Sequence, residues 1–187
     1  MNTFSVMRVA CAALLASSSL AVLADGPSYT YAEVGPGWVD LDVSGVSTKS
    51  GYFGGFSAEF TDNIYASASF EEYDFDFFDL QIIKAGIGYR LPMNDRTDMN
   101  FELAYNELDV EVADTDGIRG TVGVRSRSTS NFETRAYAGY VADSDNGSYV
   151  LGVEGSLLFT DNIGLTVQFE TYEFDINLGR VGLRFMF

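Results

Sequence analysis

The sequence predicts an all-β protein, a transmembrane up-and-down antiparallel β-barrel of ten strands behind an export leader. Three observations predict it. From Tyr29 onward the chain divides into segments of about ten to fourteen residues that alternate apolar with small or polar side chains. Within these segments, charges of both signs gather on one parity and aliphatic or aromatic side chains on the other. The composition, 19 Gly, 15 Phe and 11 Tyr against 3 Pro, suits pleated strands rather than disorder.

The leader comes first. Residues 1–24 carry one positive charge, Arg8, then an apolar run from Val9 to Ala16, the serines Ser17, Ser18 and Ser19, and Val22-Leu23-Ala24. A short apolar core ending in small residues reads as a secretory signal peptide cleaved after Ala24. A membrane-anchoring helix needs a longer unbroken apolar stretch. Cys11 lies inside the apolar run rather than after it, which excludes a lipoprotein. The domain organisation is therefore 1–24 signal peptide and 25–187 a single barrel domain. Cleavage removes the one cysteine of the chain, so the exported domain relies on backbone pairing and packing instead of disulfides.

Strands are expected at 29–42, 48–60, 63–72, 79–91, 97–108, 117–127, 131–141, 148–159, 162–173 and 176–187. The first is the least regular, and Gly35-Pro36-Gly37 reads as a bulge. Connections at 61–63, 92–96, 128–130 and 160–162 are tight. Those at 44–47, 73–78, 109–116 and 143–147 read as longer and acidic, with a short one near Asp175. Short turns at one end and longer loops at the other describe an up-and-down meander. Eight strands is the alternative, if the first strand or the last hairpins are over-split. There is also an internal repeat: Phe60-Thr61-Asp62-Asn63-Ile64 recurs as Phe159-Thr160-Asp161-Asn162-Ile163. At the same offset Phe70-Glu71-Glu72-Tyr73-Asp74-Phe75-Asp76 recurs as Phe169-Glu170-Thr171-Tyr172-Glu173-Phe174-Asp175. One turn-plus-strand unit is used twice.

The faces then decide the kind of barrel. One parity holds Glu33, Glu59, Glu71, Glu102, Glu133, Glu154 and Glu170 together with Lys84, Arg90, Arg119, Arg125, Arg127, Arg135, Arg180 and Arg184. An Arg or Lys facing mid-bilayer costs about 2–4 kcal/mol, so this face is expected to line a lumen, where acids and bases pair in a small enclosed space. Most remaining acids fall in the longer connections and make one rim acidic. On the other parity, Phe60, Tyr89, Phe101, Phe132, Phe159, Phe185 and Phe187 lie toward the short turns. Tyr52, Phe70, Tyr105, Tyr140, Tyr149 and Phe169 lie toward the longer loops. Two aromatic belts with aliphatic residues between them fit the two interfaces of a bilayer. A soluble lipocalin-like barrel would put the charged face in water, where many lysines are expected; the chain has only Lys49 and Lys84.

The last strand carries a resemblance. Val181, Leu183, Phe185 and the terminal Phe187 alternate with Arg180, Gly182, Arg184 and Met186. This resembles the C-terminal signature that directs bacterial outer-membrane barrels to the barrel-assembly machinery. Over its exported length the chain is similar to small outer-membrane barrels of the OmpA and OmpX class. The turn Phe-Thr-Asp-Asn, the segment Gly86-Ile87-Gly88-Tyr89-Arg90-Leu91-Pro92 and the ending Val181-Gly182-Leu183-Arg184 resemble a proteobacterial barrel family, some of whose members carry quorum or immune-elicitor names. The resemblance implies residence in the cell outer membrane, contact with its lipid and lipopolysaccharide, and a monomer.

For function, composition excludes more than it selects. A net charge of −16 leaves no basic stripe for nucleic acid. With no His, triads and the usual zinc sites are absent. Asp74, Asp76 and Asp79 cluster, but nothing in the sequence separates their proton affinities, and a solvated acidic loop is the plainer reading. Asp143-x-Asp145-Asn146-Gly147 and Asp114-x-Asp116-Gly117 depart from calcium-loop spacing and read as turns. The expectation is a non-enzymatic barrel without cofactor or metal. Its role is structural or surface-interacting, with a lumen filled by Glu–Arg pairs and acidic extracellular loops. The alternative is a narrow porin-like channel for small ions or solutes, since ten strands enclose more space than eight.

Overall fold

The computed structural model describes residues 26–41, 47–75, 78–110, 113–143 and 147–187. The expected leader and its cleavage point lie outside the described residues. Ten strands follow one another: β1 (Tyr31–Leu41), β2 (Lys49–Glu59), β3 (Ile64–Phe75), β4 (Phe78–Asn94), β5 (Thr97–Val110), β6 (Ala113–Thr129), β7 (Phe132–Asp143), β8 (Gly147–Leu158), β9 (Ile163–Tyr172) and β10 (Ile176–Met186). Each pairs antiparallel with its neighbours in sequence, and β1 pairs with β10, closing the sheet. Ten strands, not eight, is therefore the count. Stepping along the registers once around the wall returns to β1 about twelve residues further along, which corresponds to a strand tilt of about 40°.

Closure explains the alternation. Without a free edge every ladder group can pair, so a barrel crosses lipid with no unsatisfied backbone. The outward parity is apolar: Val34, Ile87, Leu103, Val153 and Val167 are each at least half exposed, as befits a lipid-facing surface. Phe60, Tyr89, Phe101, Phe132, Phe159, Phe185 and Phe187 lie outward near the end that carries Tyr31 and Phe187, here the terminal end. Trp38, Tyr52, Tyr105, Tyr140, Tyr149 and Phe169 lie outward toward the other, the loop end.

Two expectations about connections need correction. The segment Gly35-Pro36-Gly37 holds no bulge: β1 keeps one register with β2 throughout, and its pairing with β10 lapses at Gly35 and Pro36 and resumes unshifted at Gly37. Proline has no N–H to give that ladder. The register irregularities fall instead at Pro92/Asn94 and Arg127/Thr129, beside turns. Nor are the loop-end connections mostly long. β3 reaches Phe75 before β4 begins at Phe78, and β5 reaches Val110 before β6 begins at Ala113. The acidic residues there continue the ladder, with Asp74 opposite Asp79 and Glu107 opposite Asp116. Alternation in the sequence ends where the lipid ends, while backbone pairing continues beyond it.

The turn between β9 and β10 is tight, with Asp175 N–H donating to Tyr172 O at 3.0 Å. Its Glu173 and Phe174 take φ of 51° and 67°, a conformation that glycine or asparagine adopts more readily. At the terminal end, residues 26–30 precede β1 and turn into the barrel mouth, where Tyr29 is 2% exposed.

Outward Leu183 and inward Glu154 test this placement of the faces. Leu183→Arg is expected to cost about 2–4 kcal/mol and to reduce the heat-modifiable band strongly after refolding into lipid vesicles. Glu154→Gln is expected to leave most of that band, because Arg184 keeps Glu33. Equal yields of the two variants would reverse the faces.

Candidate functional site

The lumen is where this chain concentrates its polar chemistry. Going from the loop end inward, the first layer is apolar. Val39, Tyr73, Phe75, Leu80, Ile82 and Leu178 form one buried cluster, joined by Leu41, Leu108, Tyr172 and Ile176. These are inward-parity residues at the loop-end tops of β9, β10, β1, β3, β4 and β5, and their side chains pack together inside that mouth as an apolar cap. The sequence reading missed this cap because it treated inward positions as charged. Consecutive Ile82 and Ile83, apolar on both parities at a strand end, were the available signal.

Beneath the cap lies a clasp of five charges. Lys84 Nζ stands 3.1 Å from Glu71 Oε1 and 3.0 Å from Glu170 Oε1. Arg180 holds Glu71 through Nη2 at 2.7 Å and Nε at 2.8 Å, and reaches Glu170 at 3.4 Å. Arg119 Nη2 lies 2.6 Å from Glu170 Oε2. Tyr73 donates its hydroxyl to Glu71 at 2.7 Å and Tyr172 donates to Glu170 at 2.9 Å; Tyr137 donates to Glu170 as well. Each carboxylate thus meets cations and phenols together, which is what a buried charge requires to offset its desolvation.

The internal repeat organises this clasp. Glu71 and Tyr73 of β3 correspond to Glu170 and Tyr172 of β9. Through the strand registers, Lys84 beside Ser69 corresponds to Arg180 beside Gln168, and Ile82 beside Glu71 to Leu178 beside Glu170. Two equivalent hairpins face each other, and each cation bridges its own carboxylate and the other hairpin's. Even the turns match: Asn63 Nδ2 donates to Arg90 O at 3.1 Å, and Asn162 Nδ2 to Met186 O at 2.9 Å.

A second charged layer fills the terminal half. Arg184 lies 2.7 Å from Glu33 and 2.6 Å from Glu154. Gln168 joins the layers, donating to Glu33 at 3.0 Å and accepting from Arg180 at 3.3 Å. Glu133 takes Arg125 at 2.9 Å and Arg127 at 3.1 Å. Arg135 approaches Glu102 at 3.8 Å, and Arg90 approaches Glu59 at 3.3 Å and Asp98 at 3.6 Å. All seven glutamates and all eight cations read from the sequence therefore occur in lumen pairs, and Asp98, unread there, makes eight carboxylates against eight cations.

Tyrosine rings interleave these guanidinium groups. Arg184 stands 4.1 Å over Tyr31, Arg125 lies over both Tyr31 and Tyr29, and Arg90 of β4 also lies over Tyr29; such contacts strengthen when desolvated. Tyr65 and Tyr137 gain their inward room from glycine: a Cβ on Gly88 would fall 2.0 Å from Tyr65 Cζ, and one on Gly152 2.1 Å from Tyr137 Cζ. Between the two charged layers remains a cavity of about 90 Å³, lined in part by Ser67, Ser69, Glu102, Lys84 and Arg135. That is room for a handful of waters.

A closed antiparallel sheet with an apolar exterior, paired aromatic belts and a polar interior leaves one class. The chain is a membrane-spanning β-barrel. No protein family's model matches the chain, and no curated protein is similar to it. Among solved structures it is similar to the KdgM porin in complex with disordered oligogalacturonate, at 11% identity and a TM-score of 0.49, covering 83% of this chain and 99% of that one. The translocator domain of the autotransporter NalP from Neisseria meningitidis aligns at 13% identity and a TM-score of 0.49, covering 98% and 95%. The NanC porin aligns at 9% identity and a TM-score of 0.48, covering 83% and 100%.

The shared clasp makes a measurable prediction. Glu71→Gln or Glu170→Gln alone is expected to cost about 3 kcal/mol, since each leaves buried cations short of a partner. Because both acids bind Lys84 and Arg180, the double variant is expected to depart from additivity by about 1 kcal/mol or more. Urea titration of the refolded barrel in lipid measures this; additive losses would mean the two hairpins do not share their cations.

Proposed function

We propose that this protein is a sealed integral barrel of the cell outer membrane, non-enzymatic, which acts through its lipid-facing wall and its acidic loop-end rim. The observation that supports this reading is the filled lumen: an apolar cap above two neutralised charge layers, with only about 90 Å³ left between them. Conduction needs a continuous wetted path with sites that release their ions. Here the charges already satisfy each other, and the cap offers no polar lining.

On this reading the rim meets the surroundings. Asp40, Glu72, Asp74, Asp79, Glu107 and Asp116 sit at the loop end, which in an up-and-down barrel with both ends of the sheet at the opposite side faces outward from the cell. Their partners are the lipopolysaccharide headgroup region through bridging cations, or a basic surface. The barrel is a monomer of the small OmpA- and OmpX-like kind. Val181, Leu183, Phe185 and Phe187 present the signal for the barrel-assembly machinery, which supports the export reading. The competing function, a narrow channel, draws its support from the chamber.

Planar-bilayer recording of refolded protein tests the choice. No conductance steps above the background of empty membrane are expected. Steady ion-selective steps from the unaltered chain would overturn the sealed-barrel reading in favour of the channel. Removal of Phe187 is expected to lower the folded yield in cells while leaving refolding into vesicles within about twofold, a comparison that isolates assembly from stability.

A further inference from the structure

We infer that residues 26–30 form a strap that plugs the terminal mouth, with Tyr29 as its removable wedge, so that the strap controls entry to the chamber between the charge layers. The inference rests on the placement of this segment inside a barrel whose wall is already complete without it. Tyr31 begins β1, and the residues before it add to the sheet only the bond from Phe187 N–H to Thr30 O. Yet Pro27 and Tyr29 are buried, and Gly26 comes close to Asp95 O in the turn between β4 and β5. The segment therefore runs from β1 across the mouth toward a turn on another side of the wall.

Tyr29 touches much of the circumference. Its ring lies 4.8 Å from that of Tyr65 in β3, 5.4 Å from the Arg90 guanidinium in β4 and 4.9 Å from that of Arg125 in β6. Arg125 in turn lies over Tyr31, which lines the chamber, so Tyr29, Arg125 and Tyr31 stack as its floor. Glu71, Lys84, Glu170 and Arg180 of the clasp line the chamber on the other side.

The strap is held lightly compared with what it covers. Its backbone bonds are Ser57 Oγ to Tyr29 O at 2.7 Å and Phe187 N–H to Thr30 O at 3.2 Å. Glu59 N–H donates to Thr30 Oγ1 at 3.2 Å. The buried Tyr29 hydroxyl faces the Asp98 carboxylate of β5. A wedge seated by ring contacts and few backbone bonds is built to leave more readily than a strand of the wall.

The proposal does not depend on whether the loop-end cap conducts, so the bilayer recording above and the test below fail separately. Ser69 lines the chamber and serves as a reporter: Ser69→Cys is made together with Cys11→Ala so that it is the one thiol. A small neutral methanethiosulfonate reagent is added to folded protein in detergent, and folding is checked by heat-modifiable gel mobility. With Tyr29 present, modification is expected to be slow. Adding Tyr29→Gly is expected to speed it at least tenfold, whereas Tyr29→Phe, which keeps the ring, is expected to stay slow. Equal rates with Tyr and Gly at position 29, whether both fast or both slow, would overturn the strap as the barrier. A fast rate in Tyr29→Phe would overturn the ring as the wedge. Should Tyr29→Gly not fold, Ser57→Ala, which removes the bond to Tyr29 O, is expected to give an intermediate rate, and a rate equal to that with Ser57 would count against the proposal.

Discussion

The structure depends on one constraint: ionised side chains cannot face lipid, and inside a narrow lumen they cannot stand alone. Both halves follow from desolvation. A charge turned outward at mid-bilayer costs about 2–4 kcal/mol, and a buried one deprived of its partner costs about 3–5 kcal/mol. The chain meets the constraint by matching eight lumen carboxylates with eight lumen cations, seven of them arginine. Arginine suits the task because its planar fork binds two carboxylates at once while its face stacks on tyrosine. Arg184 does both, gripping Glu33 and Glu154 while lying on Tyr31.

The repeat shows how such a network is specified with little sequence. One unit supplies an outward aromatic, an inward glutamate and an inward tyrosine two residues on; its paired strand supplies the cation. Used twice, it yields Glu71, Tyr73 and Lys84 on one hairpin and Glu170, Tyr172 and Arg180 on the other. Neither half is complete, because each cation spends part of its charge on the other hairpin's acid. The clasp therefore forms only when the wall has closed enough to bring β3 and β9 face to face. Interlocked pairs of this kind reward the closed barrel and no half of it, which makes folding cooperative across strands that share no ladder.

Much of the fold was legible in the sequence because period-2 alternation has one structural meaning in a membrane. All ten strands, the lipid-facing parity and the aromatic belts follow from it, and the strand ends differ from the expected bounds mainly at the loop end. There the pattern stops before the backbone does: Asp74 and Glu107 look like loop residues, yet they remain in strands because a closed sheet keeps pairing after lipid no longer dictates which face is apolar. The apolar cap was hidden for a related reason. Leu80, Ile82 and Leu178 share the inward parity with the charges, and parity alone does not say how far along the axis the charged layer ends. Pro36 misled in the opposite sense, since a missing N–H interrupts the ladder with β10 without displacing its register. Pairing partners in the lumen were beyond reach, because Glu71 and Arg180 meet only through the tilt and closure of the whole wall.

Neutrality inside the barrel fixes where the excess charge must be. The chain carries −16 overall, the lumen sums to zero, and the lipid-facing belt admits none, so most of the remaining acids collect at the loop-end rim. Directly opposed pairs such as Asp74 with Asp79 and Glu107 with Asp116 repel by about 0.2–1 kcal/mol each relative to neutral pairs. That cost is tolerable only in water, where solvent and salt screen it. The same acids would pay far more if the barrel sank by a single turn of aromatic belt into the bilayer. Repulsion that is mild in water and severe in lipid holds the rim at the surface, so the acidic collar and the aromatic belts together set the depth at which the barrel rides.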